Sequence, residues 1–318
     1  MSRQVASIAL RGTFMRIRPA RESGGPAGVL DGPVGRWHLL RMTDAQDQTA
    51  RIAGLFDALS TSYDAVGVDF FQPIADGLLA QMPPRAGERW LDVGCGRGAV
   101  LLRAAEVVGA EGRAVGVDIS AGMVEQTRAL AAERGLDHVE AVVGDATAPS
   151  VSGEFDAVAS SLVLFFLPDP VAALRSWLPL MAPGARLGVV TFGPIDPRWQ
   201  QVDSVFEPYL PPAMRDARTS GAAGPFGSDA GMERLVTDAG YADVRTVTTE
   251  LPVRFADPER WHAFTWSVGQ RQMWLSVPEE ERPAVRAEAL HRVASYADPD
   301  GSVTFTQGVR YTLATSPA

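Results

Sequence analysis

The run Trp90-Leu91-Asp92-Val93-Gly94-Cys95-Gly96-Arg97-Gly98 decides the fold: an apolar strand carrying one acid opens into Gly-x-Gly-x-Gly. Glycines there let the backbone turn sharply and approach a ligand at the N-terminus of the helix that follows. Working outward, apolar runs of strand length are expected at residues 89–93, 114–119, 139–143, 155–160 and 186–192. Helical periods separate them at 99–108, 121–134 and 170–181. Strands alternating with helices of this length indicate a parallel, doubly wound α/β sheet. A further helix at 229–240, a strand region at 242–255 and a last strand at 302–314 extend the pattern. Upstream, Ile52, Leu55, Phe56 and Leu59, then Phe70, Ile74, Leu78 and Leu79, recur at helical spacing.

These elements divide the 318-residue chain into an N-terminal helical cap (42–88), a Rossmann-like core (89–193), an insertion (194–228), the core continued (229–256), a helical lid insertion (257–301) and a final strand with the C-terminus (302–318). Residues 1–41 are rich in Gly, Pro and Arg without an apolar period. Their composition favours a disordered tail or a start placed upstream of Met42 over an address signal. That segment holds seven Arg against Glu22 and Asp31, a net of +5, so the rest of the chain carries −14 of the total −9. A body that acidic repels phosphate backbones, and nucleic acid is not an expected partner. No apolar run is long enough for a membrane span. All 29 basic residues are Arg, which removes Schiff-base chemistry and the lysine-dependent phosphate loop. Cys95 is the sole cysteine, excluding an intramolecular disulfide and a Cys-rich metal site; no metal is expected, and a reducing cytoplasm fits best.

By itself the glycine run also fits a dinucleotide fingerprint through Gly94, Gly96 and Ala99. Three acids tilt the choice. Asp92, two residues before the first glycine, would repel a pyrophosphate and attract an ammonium group. Asp118, ending the second strand, is placed to accept from both ribose hydroxyls, a feature shared with NAD-binding folds. Asp145, ending the third strand, can take an adenine amino group. The glycine loop adds Gly94, Cys95, Gly96 and Gly98 to this set, and Ala146 follows Asp145.

With Phe56-Asp57, Tyr63-Asp64, Leu91 to Gly98, Gly116-Val117-Asp118-Ile119-Ser120 with Met123, Gly144-Asp145-Ala146, and Phe155-Asp156 to Leu167-Pro168-Asp169, the chain resembles the class I S-adenosylmethionine (SAM)-dependent methyltransferases. It is most similar to their small-molecule branch, related to the ubiquinone/menaquinone enzymes. The resemblance implies a seven-stranded, mostly parallel sheet whose last strand runs antiparallel, with SAM as cofactor. It further implies Tyr63 at the methionine carboxylate, Ile119 and Met123 on either side of the adenine, and the Ser160 backbone near the methionine amino group.

On the acceptor side, related enzymes often carry a histidine near the position of Phe165-Phe166. Its absence suggests an apolar pocket, with one phenylalanine in the core and one facing the cofactor. The most distinctive text is Trp261-His262-Ala263-Phe264-Thr265-Trp266-Ser267-Val268-Gly269-Gln270-Arg271. Here Trp266 is a candidate pocket wall, Arg271 a candidate anchor for a substrate carboxylate and His262 the candidate base, while Trp261 is expected in the core. The expected function is methyl transfer to a small organic, natural-product-like acceptor, with oxygen the favoured atom. C- or N-methylation, a non-methylating cyclisation at a SAM site, an NAD-dependent oxidoreductase and a non-catalytic SAM-binding module stay open as alternatives.

Overall fold

Strand β1 (Arg89–Val93) lies near the middle of a seven-stranded sheet and positions everything else. The computed structural model describes residues 49–60, 66–210 and 224–317, all within one unit spanning Ala45–Ala318. The expectations for residues 1–41 and for Tyr63 fall outside the described residues.

In chain order the elements are α1 (residues 49–59), α2 (Phe71–Gln81), β1, α3 (Leu101–Val108), β2 (Arg113–Asp118), α4 (Ala121–Glu133), β3 (Val139–Val143), β4 (Phe155–Ser161), α5 (Pro170–Trp177), β5 (Met181–Ile195), α6 (Pro197–Asp203), α7 (Asp229–Asp238), β6 (Ala242–Phe255), α8 (Pro258–Ser267), α9 (Arg271–Ser276), α10 (Arg282–Ala294) and β7 (Val303–Thr315). The sheet order is β3-β2-β1-β4-β5-β7-β6. β1 to β5 pair in parallel, and β7 runs antiparallel to both β5 and β6. The chain order reverses between β1 and β4, so the carboxyl ends of β1, β2 and β4 border a crevice of the kind in which open α/β sheets bind ligands.

Period-two alternation splits the core into two layers. Trp90 of β1 packs with Ile74 and Leu78 of α2 and Leu101 of α3 on one face. Leu91 and Val93 point the other way, onto Leu174 and Trp177 of α5 and Met232 of α7. The first layer continues into the insertions, taking in Trp199, Phe206, Trp261, Phe264 and Trp274, so the lid is an extension of the core.

Three helices start with the same local chemistry. Asp169-Pro170, Asp196-Pro197 and Asp257-Pro258 each put a carboxylate at the N-cap, accepting from the amides of Ala172, Arg198 and Arg260, with proline in the first turn where no amide is needed. The helix expected at 170–181 stops at Trp177, because Pro179 cannot donate to its ladder and residues Leu178–Leu180 tighten into a 3₁₀ turn. The fifth strand is longer than expected: beyond the irregular stretch around Pro183 and Gly184, Met181 still pairs with Phe155.

Candidate active site

Asp92 and Asp118 reach the carboxyl edge from β1 and β2, and Asp145 stands in the loop after β3. The glycine loop between β1 and α3 is fixed from both sides. Gly96 N–H donates to Asp118 Oδ2 at 2.8 Å, while Thr127 Oγ1 of α4 donates to the Gly96 carbonyl at 2.6 Å. The amides of Gly94 and Cys95 both donate to Val117 O. Gly94 adopts φ +77° and a Cβ there would collide with Val163. Gly96, at φ +52°, has nothing within 4 Å of the place a Cβ would take, so its backbone is bare towards the cavity.

Asp92 is 1% exposed, and its Oδ1 has no hydrogen-bond partner. Burial and then the charge of Asp118 push its carboxyl up to about 7, against an amide hydrogen bond from Leu101. Asp118 is raised too, chiefly by burial, with the amides of Ser120 and Gly96 opposing and Asp57 adding repulsion. A carboxylate held this way is costly until a cation arrives. An amino-acid ammonium at the Asp92 orphan oxygen, with a nucleoside along the bare Gly96 backbone, fits these residues.

Ile119 and Met123 line the same cavity, as do Asp145 and Ala146. Asp145 Oδ1 accepts from Thr147 N–H at 2.8 Å, and Ala146 O accepts from Trp177 Nε1 at 2.7 Å. The Ser160 hydroxyl donates to Val93 O, tying β4 to β1 beneath the floor, and Ser161, Leu162 and Val163 line the cavity beside it. Leu162 sits at φ +61°, a conformation costing an ordinary side chain on the order of 1–3 kcal/mol, and its amide donates to Val190 O. Over the cofactor end lies α1, docked through Asp57 Oδ1, which accepts from Ser120 Oγ at 2.5 Å and from Gly122 N–H at 3.0 Å.

The cavity holds about 1380 Å³ and runs from the glycine loop into a chamber under the insertions. A continuous aromatic wall leads there. Phe56 meets Phe166, Phe166 meets Phe165, and Phe165 stacks on Phe192 at 5.4 Å. Phe70 bridges from Phe192 to Phe264, which touches Trp199. Phe165 and Phe166 both line the cavity, so neither is given up to the core alone.

The lid helix turns the opposite way from expectation. His262, Trp266 and Arg271 are absent from the cavity lining, whereas Phe264, Val268 and Gln270 are present. His262 Nε2 accepts from Trp266 Nε1 at 3.0 Å, Trp266 stacks on Trp274, and the Arg271 guanidinium lies over the Trp266 ring at 5.8 Å. One turn of α8 puts Trp261, Phe264 and Thr265 inward and leaves His262 and Trp266 on the reverse face, with Arg271 of α9 over Trp266. Burial and the charge of Arg286 lower the His262 imidazole, against the charge of Glu259. Trp261, at 0% exposure, is in the core as expected.

Sequence reasoning passed over Asp203, at the C-terminal end of α6. It lines the cavity, Gln270 Nε2 donates to its Oδ2 at 3.1 Å, and its Oδ1 is sealed from solvent without a partner. Burial pushes this carboxyl up to about 7, with the Gln270 hydrogen bond opposing. A signal was present: Asp203 interrupts the apolar series Trp199, Val202, Val205 and Phe206 on a helix with an unmistakable Asp-Pro cap. Arg310 of β7 was passed over as well. It is 4% exposed and donates to the carbonyls of Phe192 and Phe226 as well as to Asp229.

Comparison with known proteins agrees with this geometry. A family described as "Methyltransferase domain" matches residues 84–223. The chain is 38% identical to a nocamycin O-methyltransferase of Saccharothrix syringae over 271 residues, 81% of this chain and 95% of that one. It is 43% identical to aklanonic acid methyltransferase DauC of Streptomyces sp. (strain C5) over 138 residues, 43% of this chain and 63% of that one. In fold it is similar to the YcgJ protein of Bacillus subtilis, with a TM-score of 0.51 at 15% identity, covering 77% of this chain and 98% of that one.

Proposed function

The chain belongs to the class I S-adenosylmethionine-dependent methyltransferases, and from that premise we propose that it methylates an oxygen of a large, apolar natural product. The observation that carries this reading is the cavity. At about 1380 Å³ it exceeds the roughly 300–1,000 Å³ of ordinary ligand sites, leaving an aromatic-walled chamber beyond the cofactor end. The two natural-product methyltransferases to which the chain is similar support the same acceptor class.

SAM supplies a methyl group already activated by the sulfonium. Asp92 would hold the ammonium, Asp118 would accept from the ribose hydroxyls with the lone pairs its amide partners leave over, and Asp145, Ala146, Ile119 and Met123 would hold the adenine. The glycine loop of Gly94, Cys95, Gly96 and Gly98 lets the nucleoside lie against backbone. Phe165, Phe166 and Phe192 exclude water and orient the acceptor, so that transfer gains from alignment in a dry site.

Mass spectrometry of wild-type chain incubated with SAM and aklanonic acid, or with other large natural products bearing a hydroxyl or carboxyl group, tests the proposal. A mass gain of one methylene unit, located on oxygen, is the expected result. Isomerised acceptor without mass gain would favour cyclisation instead, and no change in any acceptor would remove the assignment.

A further inference from the structure

We propose that Gln307 is the specificity-determining residue of the acceptor chamber, its amide oxygen accepting from a hydroxyl that the acceptor carries well away from the methylated oxygen; this rests on the O-methylation reading above. The observation behind it is a break in a pattern. Side chains of β7 that point towards the insertions recur at every second position, as Val303, Phe305, Gln307, Val309, Tyr311 and Leu313. All but Gln307 belong to one apolar core layer. Gln307 is flanked across the sheet by Ile195 of β5 and Leu251 of β6, both packed against that layer, and is itself only 6% exposed. It lines the cavity. A leucine or methionine would fill the position without burying an amide.

The amide is held in one orientation. Gln307 Nε2 donates to Gly308 O at 2.9 Å. Because a carbonyl only accepts, the nitrogen must face it and Oε1 must face the other way. No described residue donates to Oε1, and it is not sealed off as Asp92 Oδ1 and Asp203 Oδ1 are. The opposing strand shapes the same spot. Phe192 pairs with Val309 and Ile195 with Gln307, so Gly193 and Pro194 of β5 together face Gly308 alone. Bulges of this kind re-aim side chains beside ligand sites. The approach is close enough that a Cβ on Gly308 would collide with Pro194.

Placement in the sheet defines the kind of acceptor. The cofactor end lies over β2, β1 and β4, and β7 stands two places beyond β4, roughly 10 Å at ordinary strand spacing. The stacked rings of Phe165 and Phe192 line the interval. A flat molecule of several fused rings spans it, with the methylated oxygen at the sulfonium and a hydroxyl at Gln307. The amide oxygen discriminates against a methoxyl, which has no hydrogen to donate, as well as against a bare ring carbon.

Three anthraquinone carboxylic acids test the assignment. They are identical except at the ring end opposite the carboxyl, which carries a hydroxyl, a methoxyl or hydrogen. Their binding to the S-adenosylhomocysteine complex, in which no methyl can be transferred, is measured by calorimetry for wild type, Gln307→Leu and Gln307→Met. Melting temperature and S-adenosylhomocysteine affinity report that each variant is folded and loaded. Wild type should bind the hydroxyl compound about 10-fold or more tightly than the other two. Both variants should lose that preference and bind the hydrogen compound at least as well as wild type does, an outcome that a purely structural role for Gln307 does not produce. Equal affinities in wild type, or a hydroxyl preference that persists in a folded variant, overturn the assignment. Failure of wild type to bind any of the three overturns the acceptor reading beneath it as well. The methylated atom is tested separately: wild type that shows the hydroxyl preference but, given SAM, methylates carbon overturns O-methylation and leaves Gln307 in place.

Discussion

Asp92 is the residue on which the cofactor end turns, because its orphan Oδ1 and its elevated carboxyl are two faces of one fact: a buried acid without a cation. The direction of its linkage follows. The folded value, about 7, lies above the ordinary carboxylate value of 3.8, so the folded state holds the proton more tightly than the unfolded chain. Stability of the free protein is then greatest below the unfolded value and declines as pH rises from about 4 to about 7, by up to about 4 kcal/mol. Asp92→Asn should flatten that slope in thermal melts of the free protein and raise its melting temperature at neutral pH. The same variant should weaken SAM binding at neutral pH, since a charge-assisted hydrogen bond is worth about 1.5–3 kcal/mol. Wild-type SAM affinity should increase through the same pH window and that of Asp92→Asn should not. Unaltered SAM affinity in the variant would take the ammonium away from Asp92. Asp118 behaves differently: because its two oxygens already receive the Gly96 and Ser120 amides, its removal would loosen the glycine loop as well as the ribose contact.

Among the elements, β7 holds the end of the first insertion to the sheet through Arg310. Its guanidinium joins β5 at Phe192 O, the 3₁₀ turn before α7 at Phe226 O, and α7 itself at Asp229. A buried cation so fully engaged cannot be truncated without stranding carbonyls. Arg310→Leu should cost roughly 3–5 kcal/mol, the usual consequence of breaking a buried ion pair. A denaturant midpoint equal to wild type would show the latch to be dispensable. The lid helix α8 illustrates the converse: rotation by one face decides which aromatics meet the ligand. Trp266 and His262, adjacent to Phe264 and Thr265 in sequence, end on the far side because Trp261 and Phe264 bury more completely.

For the whole molecule, all described residues lie in the unit beginning at Ala45, and no helix among them is long and apolar enough to cross a membrane. Since the core layers and the cavity found among the described residues are built from that unit, a chain starting at Met42 should keep the melting temperature and SAM affinity of the full chain. A melting temperature lower by several degrees, or weaker SAM binding, would assign the first residues a structural share.

Local chemistry determined the strand-and-helix alternation, the glycine loop, the acids at 92, 118 and 145 and the family resemblance. Each of these is written in contiguous residues and enforced by steric, capping and periodic rules that act over a few positions. The family likeness also carried the antiparallel β7, which pairs residues more than a hundred positions apart. Local rules could not say which face of α8 would turn inward, that Ser160 would tie β4 to β1, or that Asp203 and Gln270, 67 residues apart, would meet at a cavity wall. Those outcomes depend on competition among side chains for one shared interior: the face that buries more apolar area wins, and a polar group is placed where a partner from another segment arrives. The wall of the acceptor chamber therefore stands on tertiary structure, and the cofactor site on the sequence.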